Sequence, residues 1–273
     1  MTKQKALFIG NCQNQGIIHY LSYSQEFMNT FEVKSYANWQ LIENQSEIPM
    51  KDIQEADLFV CQPLRPVHGC YSTDPSVKGS IGYYVKDDCI KLSYPYIFSS
   101  AMWPIVQAGQ NQNRWFGNEI IDELLLHGMN SNDILNSYYQ NEIDWKYKQR
   151  FEKSLGILKE KETITNLKIS DFIENNYRDK LLFLIPHHPT SIIFFYMANL
   201  ILKELNMKEI DENVICGIND VGLPDSTYNQ INNMFPIHSS TVQEYGLTYA
   251  KEYLEDSDQF YAQRIMTYLQ FNY

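Results

Sequence analysis

A short apolar run near the N-terminus, Ala6 to Gly10, leads straight into the polar tetrapeptide Gly10-Asn11-Cys12-Gln13. A brief, continuously apolar run that ends in glycine is typical of a strand buried inside a parallel sheet. Beyond the tetrapeptide, apolar residues from Gln15 to Phe27 recur with roughly helical spacing. The start of the chain therefore predicts a strand followed at once by a helix, the repeating unit of open α/β folds.

The same alternation of apolar runs and helical patterns continues along the chain. It predicts an α/β fold with a parallel sheet of about five strands, right-handed crossovers and flanking helices, on a flavodoxin-like plan. We expect a single domain spanning 1–273, with a substantial helical insertion at about 117–178 and helices at the C-terminus. The other strands are predicted at Phe31–Tyr36, Asp57–Gln62, Cys89–Ile97 and Lys180–Ile185, and the other helices at Ile48–Ala56, Asn118–His127, Ser131–Ser137, Ile143–Glu162, Ser191–Leu205, within Tyr245–Tyr268 and from Phe172 onward.

The charge balance excludes several classes of partner. The net charge is −11 with only 22 Lys and Arg residues, whereas a nucleic-acid-binding protein usually carries a basic face. An anionic membrane surface is disfavoured for the same reason. No stretch approaches the roughly 20 apolar residues that a membrane span requires, and the first apolar run is too short for the core of a signal peptide. We therefore expect a cytoplasmic protein that binds neither nucleic acid nor a membrane.

Cys12 differs from the other cysteines because it stands where the first strand gives way to the first helix. The five cysteines are irregularly spaced and form no CxxC pair, so they predict neither a disulfide framework nor a structural zinc site. A helix N-terminus offers unpaired N–H groups and a positive partial charge, which favour a thiolate and can hold an oxyanion or a phosphate. Asn11 and Gln13 add amide donors beside the sulfur. The alternative is that Cys12 packs under the helix and Asn11 is a simple N-cap.

A second polar segment, Gln62-Pro63-Leu64-Arg65, follows the third predicted strand. Because the carboxyl ends of parallel strands share one edge of the sheet, we expect Gln62 to lie near Cys12. Gln62 can donate to a carbonyl, and the fork of Arg65 can bind phosphate or carboxylate. The long stretch from Arg65 to Asp88 is typical of a functional loop, although a plain surface loop with a solvated arginine explains the same pattern.

A third polar segment, His187-His188-Pro189-Thr190, follows the last predicted strand. A histidine at the carboxyl edge of the sheet can act as general base for a nucleophile or a substrate hydroxyl. Two adjacent histidines without further ligands make a poor metal site, so no metal is expected. Asp171 is a candidate to orient the histidine, and Trp103 can line the mouth of the pocket. Each has a structural alternative, as a loop residue, a helix cap or part of the core.

These motifs occur together, in this order, in one family. The chain resembles the WcbI-type acetyltransferases of polysaccharide biosynthesis over nearly its whole length. His187 departs from the pattern, which usually has Asn before the His-Pro pair. The resemblance rests on Gly10-Asn11-Cys12-Gln13, Ala56-Asp57-Leu58 leading to Gln62, Tyr94-Pro95 with Trp103-Pro104, Ile169-Ser170-Asp171-Phe172-Ile173, His188-Pro189-Thr190 and Phe235-Pro236-Ile237.

The resemblance implies a protein that binds coenzyme A and acetylates a sugar of a capsular or surface polysaccharide, with acetyl-CoA as acyl donor. It also implies a distant likeness to the SGNH hydrolase and acyltransferase plan, in which Cys12 takes the place of the nucleophile. The catalytic residues would be Cys12, His188 and Asp171. From the residue patterns above together with the resemblance, we expect substrate to be bound by Gly10, Asn11, Gln13, Gln62, Arg65, Trp103, His187 and Thr190.

Two mechanisms and two other functions stay open on the sequence. Cys12 can carry the acetyl group as a thioester, or His188 can deprotonate the sugar hydroxyl for direct attack on acetyl-CoA. We prefer direct transfer, because passing an acyl group between two thiols is near thermoneutral. The first alternative function is a Cys/His esterase or thioesterase on the same fold, which would release free acetate without a sugar. The second is a non-catalytic protein that binds CoA or a nucleotide sugar, in which neither residue is needed for transfer.

Overall fold

The computed structural model of the chain describes residues 2–105, 118–217, 234–249 and 257–272. The first position of the predicted insertion, 117, and residues 250–256 of the predicted C-terminal helical region lie outside these ranges. The strands are β1 Gln4–Gly10, β2 Phe31–Ala37, β3 Leu58–Cys61, β4 Ile90–Ser93, β5 Phe183–Ile185 and β6 His188–Pro189. The α-helices are α1 Gln13–Leu21, α2 Gln25–Thr30, α3 Asn38–Glu43, α4 Met50–Gln54, α5 Ile81–Tyr84, α6 Asn118–Leu126, α7 Ser131–Tyr139, α8 Tyr147–Lys161, α9 Ser170–Asn176, α10 Ser191–Glu204, α11 Ser239–Tyr245 and α12 Ser257–Asn272.

The chain divides into two compact units. Among the described residues, the first unit comprises 2–97, 158–171 and 189–217. The second comprises 98–105, 118–157, 172–188, 234–249 and 257–272. Within these ranges the parallel sheet lies wholly in the first unit, and the second unit is mainly helical. The organisation as one domain with a single insertion stays a prediction.

The sheet of the first unit has the order β2-β1-β3-β4, and all of its neighbouring strands are parallel. β1 pairs with β2 along its whole length, and on its other side Ile9 pairs with Cys61 of β3. β2 therefore lies on one side of β1, and the chain then crosses to the other side of β1 to form β3. In open α/β sheets such a reversal opens a crevice at the carboxyl ends of the two diverging strands, where ligands bind. Here that crevice lies beyond Gly10 and Cys61.

The two faces of the sheet pack against different helices. Successive side chains of a strand alternate between faces, and on one face Leu7, Ile9, Phe59 and Cys61 form a buried cluster with residues of α3, α4 and α5. α1 packs against β1 and against α10. The two helices approach so closely that a Cβ on Gly16 would lie 2.6 Å from the Phe194 ring. The first turn of α1, directly beyond β1, is therefore held from both the sheet and α10.

The second unit is a helical assembly with its own core. α7 packs against α12, and the Tyr138 hydroxyl of α7 donates to the carbonyl of Asp258 at 3.0 Å. The buried Arg150 of α8 donates to the carbonyl of Ser100 at 3.2 Å and also to that of Trp103. These contacts anchor the segment that begins this unit to the helices that follow it.

The predicted α/β class with a parallel sheet and flanking helices is confirmed, with local differences. The described sheet has four strands, because the predicted fifth strand forms a separate two-stranded sheet with β6 across the short turn at Pro186-His187. The predicted helix Gln15–Phe27 is instead α1 and α2, since the Ser24 hydroxyl accepts from the Phe27 N–H at 3.3 Å and starts a new helix. α3 was not predicted, because its six residues are too few for a periodic pattern.

Among the described residues, no helix combines the length and the apolar composition that crossing a bilayer requires. In the same ranges, no group of three or more His, Cys, Asp or Glu side chains is placed to hold a metal ion.

Candidate functional site

Cys12 lies at the junction between β1 and α1, as the sequence predicts. It is the residue from which α1 begins, with φ −56° and ψ −20°, and it is half-buried. The Asn11 side chain turns back over this start, and its Oδ1 accepts from the Gln13 N–H at 2.9 Å. Asn11 therefore satisfies one of the donors that a helix start leaves unpaired. The cysteine is fixed at the carboxyl edge of the sheet, and its neighbour supplies the cap.

Gln62 joins the ends of β1 and β3 through the oxygen and the nitrogen of its side-chain amide. Its Oε1 accepts from the Asn11 N–H at 2.8 Å, and its Nε2 donates to Gln13 Oε1 at 3.0 Å. Gln13 in turn donates from Nε2 to the carbonyl of Ile97 at 2.7 Å and accepts from the Ile97 N–H at 3.2 Å. Gln13 and Gln62 are buried. These four residues, which we call the amide network, hold the chain around Cys12 by contacts among the segments that follow β1, β3 and β4.

Tyr94 and Asn14, which we call the second layer, lie near Cys12 and were not identified as part of the site from the sequence. The buried Tyr94 hydroxyl donates to Oδ1 of Asn14, which is also buried. Gly10 makes room for this contact, because a Cβ at Gly10 would lie 2.8 Å from Asn14 Oδ1 and 2.9 Å from the Tyr94 hydroxyl. Tyr94 belongs to the Tyr94-Pro95 motif of the family resemblance. Asn14, two residues after the cysteine, offers no comparable signal.

The charge of Cys12 contributes to the raised pKa values of two tyrosines. The pKa of Tyr94 lies well above its ordinary value, first because of burial and then because of the nearby Cys61 and Cys12 thiols. Burial, followed by the charge of Cys12, raises the pKa of Tyr96 to about 12. Both phenols are therefore neutral at physiological pH and can donate hydrogen bonds there. The site has no ionised tyrosine to repel an anionic ligand.

A cationic group lies beyond Tyr96. The Lys161 ammonium sits 5.1 Å from the centre of the Tyr96 ring. Its pKa is lowered, first by burial and then by the charge of Arg65. Arg65 is exposed and forms no ion pair with a carboxylate of the described residues. The sequence identified Arg65 as a ligand contact but gave no reason to single out Lys161, which is distant in the chain.

Thr190 and Asp171 also belong to the first unit. Thr190 is buried at the start of α10, and its carbonyl accepts from the Ile193 N–H at 3.1 Å. Asp171 is exposed in the first turn of α9, and its charge contributes to the raised pKa of Tyr196. The roles of Thr190 in binding substrate and of Asp171 in orienting a histidine stay predictions.

Trp103, His187 and His188 belong to the second unit. Trp103 is buried, and its indole N–H donates to the carbonyl of Phe235 at 3.3 Å. Its place at the mouth of a pocket stays a prediction. The His187 and His188 rings lie 4.4 Å apart. Burial, and then the neighbouring His187, lowers the pKa of the half-buried His188 to about 4. His188 is therefore neutral at physiological pH, and its pairing with Cys12 stays a prediction.

Together, the fold and these contacts define an open α/β protein with a preorganised polar site at the switch point of its sheet. Comparison with known proteins agrees and goes further. The family model described as "Polysaccharide biosynthesis enzyme WcbI" matches residues 5–209, well over half of the chain. The chain belongs to the WcbI family of polysaccharide biosynthesis enzymes, and the resemblance drawn from its motifs is confirmed.

A solved structure supports the same fold. The structure of WcbI, described as a novel polysaccharide biosynthesis enzyme in its native form without a disulfide bond between CoA and a cysteine, superposes with a TM-score of 0.69. The match covers 98% of this chain and 91% of the other at 15% sequence identity. A search of the curated proteins finds no match.

Proposed function

We propose that the protein is a CoA-dependent acyltransferase that transfers an acetyl group from acetyl-CoA to a sugar hydroxyl during the synthesis of a capsular or surface polysaccharide. Membership of a polysaccharide biosynthesis family supports the biological setting. The solved relative, whose description mentions CoA in connection with a cysteine, supports the choice of acyl donor. We place the thioester end of the donor next to Cys12.

The observation that carries the proposal is the way Cys12 is held. It starts a helix at the switch point of the sheet, and the amide network fixes the backbone on both sides of it. A helix start presents N–H groups and a positive partial charge to any group in front of it. Such groups stabilise the oxyanion that forms when a thioester carbonyl is attacked. A buried structural cysteine would need none of this organisation.

In the mechanism we prefer, the sugar hydroxyl attacks the thioester carbonyl directly. The new C–O bond forms as the hydroxyl proton moves to a neutral His188, and the C–S bond then breaks to release CoA. The same histidine returns its proton to the departing sulfur, so the enzyme ends in its starting state. A pKa of about 4 keeps His188 uncharged at physiological pH, which is the state a general base requires.

In the second mechanism, Cys12 attacks the thioester and CoA leaves as a thiol. The acetylated Cys12 then passes the acyl group to the sugar hydroxyl. This route gains little in free energy at its first step, because one thioester replaces another. It predicts an acetyl-enzyme that accumulates when the sugar is withheld.

Radiolabelled acetyl-CoA, offered with and without a panel of sugar acceptors, tests the proposal. We expect label on the sugar with wild-type protein and with the control variant Cys216→Ala, since Cys216 is exposed and lies outside the site. Label on Cys12 without acceptor would favour the thioester route. Free acetate released without any sugar would make the protein a hydrolase. Full transfer by both Cys12→Ala and His188→Ala would refute the assigned roles of these residues.

A further inference from the structure

Arg150, on α8 in the second unit, is a buried cation that the site described above does not use. The residue is only 5% exposed. Its Nη2 donates to the carbonyls of Ser100 and Trp103, and its guanidinium carbon lies 5.7 Å from the centre of the Tyr147 ring. Nε and Nη1 are buried as well, but neither has a hydrogen-bond partner among the described residues. Most of the N–H groups of this guanidinium therefore lack an acceptor there.

The Ser100 hydroxyl lies beside the same guanidinium. Ser100 is fully buried, and its Oγ likewise has no hydrogen-bond partner among the described residues. Its carbonyl accepts from Arg150 Nη2 at 3.2 Å, which brings the hydroxyl of the same residue close to the cation. Buried polar groups without a protein partner are costly, and in native proteins they generally meet an ordered water or an ion. The fold thus brings a cation and a neutral donor together around a common acceptor.

The charge of Arg150 has no counter-ion in the part of the chain that the structure describes, since no carboxylate there forms an ion pair with it. Burial lowers the pKa of the guanidinium, and nearby tyrosines and Glu119 oppose this shift, but an arginine keeps its proton in proteins. Glu119 itself is exposed and pairs with Lys153 at 3.6 Å. A buried charge is tolerated when it is paired, so we expect the common acceptor to be an anion.

The geometry of the guanidinium selects the kind of anion. A carboxylate or a phosphate bridges two nitrogens along one edge of an arginine, either Nε with Nη2 or Nη1 with Nη2. Both edges share Nη2, which already donates to two carbonyls. A bridging oxyanion therefore finds no edge with two available N–H groups. A monatomic anion needs no edge, because it accepts from single N–H and O–H donors that point in different directions.

We propose that the second unit binds a chloride ion between the Arg150 guanidinium and the Ser100 hydroxyl. The ion neutralises the buried cation and helps to hold 98–105, the segment that begins this unit, against α8. Because unfolding releases the ion, chloride stabilises the folded state by mass action. The ion takes no part in acyl transfer, so this inference goes beyond the proposed function and does not depend on it.

Thermal melts of the full-length protein at increasing chloride concentration test this site, with sodium gluconate holding the ionic strength constant. Gluconate is far larger than a single ion and cannot replace chloride in a buried site. The variants are Ser100→Ala and Arg150→Met, and the control is Ser154→Ala. Ser154 is also a buried serine, on the same helix as Arg150, but its hydroxyl has a partner, since it donates to Ser99 Oγ at 3.3 Å.

We expect the melting temperature of the wild type to rise by about 5 °C or more once chloride exceeds its dissociation constant by about a hundredfold. Loss of one donor in Ser100→Ala should weaken the ion about tenfold, so the same rise should need about ten times more chloride. Arg150→Met should abolish the dependence on chloride. Ser154→Ala should melt lower than the wild type but respond to chloride in the same way.

Two results would overturn the inference. One is a wild-type melting temperature that does not change with chloride, because water would then satisfy these donors. The other is a dependence on chloride that the variants retain in full, because the ion would then act elsewhere on the protein. If Arg150→Met does not fold, Ser100→Ala decides the second question alone. Neither result bears on the proposed acyl transfer.

Discussion

Replacing Gln62 with leucine removes the residue that joins the ends of β1 and β3. The substitution deletes the acceptor of the Asn11 N–H and the donor to Gln13 Oε1, at 2.8 and 3.0 Å. Leucine has a similar size, so little cavity is created. Gln13 Oε1 keeps its bond from the Ile97 N–H, but the Asn11 N–H loses its acceptor. The cost is therefore one lost hydrogen bond and one unsatisfied backbone donor.

The expected loss follows from these two contributions. A buried donor left unsatisfied costs about 1–3 kcal/mol, and a typical hydrogen bond contributes about 0.5–1.5 kcal/mol. We therefore expect Gln62→Leu to lower the free energy of unfolding by roughly 2–3 kcal/mol. For a protein of this size that corresponds to a melting temperature lower by about 5–10 °C. Acetyl transfer should also fall, because the backbone beside Cys12 is no longer held.

Circular dichroism melts and urea titrations measure the effect, with Gln54→Leu as the matched control. Gln54 lies exposed at the end of α4, so the same chemical change there removes no contact of the network. The urea midpoint should fall for Gln62→Leu at unchanged slope, since the surface exposed on unfolding stays the same. A melting temperature within about a degree of the wild type would refute the argument that Gln62 holds this edge.

The substitution Gln62→Glu keeps one of the two hydrogen bonds of the Gln62 side chain and removes the other. The carboxylate can still accept from the Asn11 N–H, but it faces Gln13 Oε1, which is also an acceptor. Burial and this contact should raise the pKa of the new carboxyl above the value of about 4.3 found in unfolded chains. The variant should therefore match the wild type most closely below that pH and lose stability as the pH rises. A stability difference that does not change with pH would contradict this account.

Three further substitutions or modifications test the neighbouring contacts. Gly10→Ala places a methyl group against the Tyr94 hydroxyl and should cost about 1–3 kcal/mol, seen as a lower melting temperature; an unchanged melt would mean that the second layer shifts freely. His188→Ala should lower turnover about a hundredfold or more, and turnover close to that of the wild type would exclude His188 as the base; the acid limb of the wild-type rate profile should fall near its pKa of about 4, and a limb near 6.5 would contradict the lowered pKa. Iodoacetamide, followed by peptide mass spectrometry, should modify Cys12 before Cys89, whose pKa burial raises to about 11, and CoA should protect Cys12. Earlier labelling of Cys89 would count against an activated Cys12.

The sheet and its ligand-binding edge could be predicted because each depends on local patterns. The run ending at Gly10 is apolar throughout since β1 lies in the interior of the sheet, with β2 on one side and β3 on the other. The tetrapeptide that follows contains both the cysteine and its cap. Gln62 could be assigned to the same edge for a general reason, since parallel strands end together. No knowledge of the contacts was needed for either prediction.

What could not be predicted depends on pairing between distant segments. Lys161 lies near the site only because it is folded over the ring of Tyr96, and nothing in its own helix predicts this position. The strand at Phe183–Ile185 is apolar enough for a sheet interior, but a tight turn gives it a partner at once in β6. A sequence pattern describes the burial of a segment. It does not specify which of several possible neighbours the segment will meet.

The groups described around Cys12 would exert little electrostatic repulsion on an anionic ligand, even though the chain carries a net charge of −11. The first turn of α1 contains no acidic residue, so the positive partial charge in front of Cys12 is not cancelled locally. The titratable neighbours Tyr94 and Tyr96 have raised pKa values and stay neutral. The side chains that hold the backbone are amides, which give and accept hydrogen bonds without adding charge. Lys161 and Arg65 add positive charge near Tyr96, so we expect binding of the anionic CoA of the proposed function to weaken as salt is added.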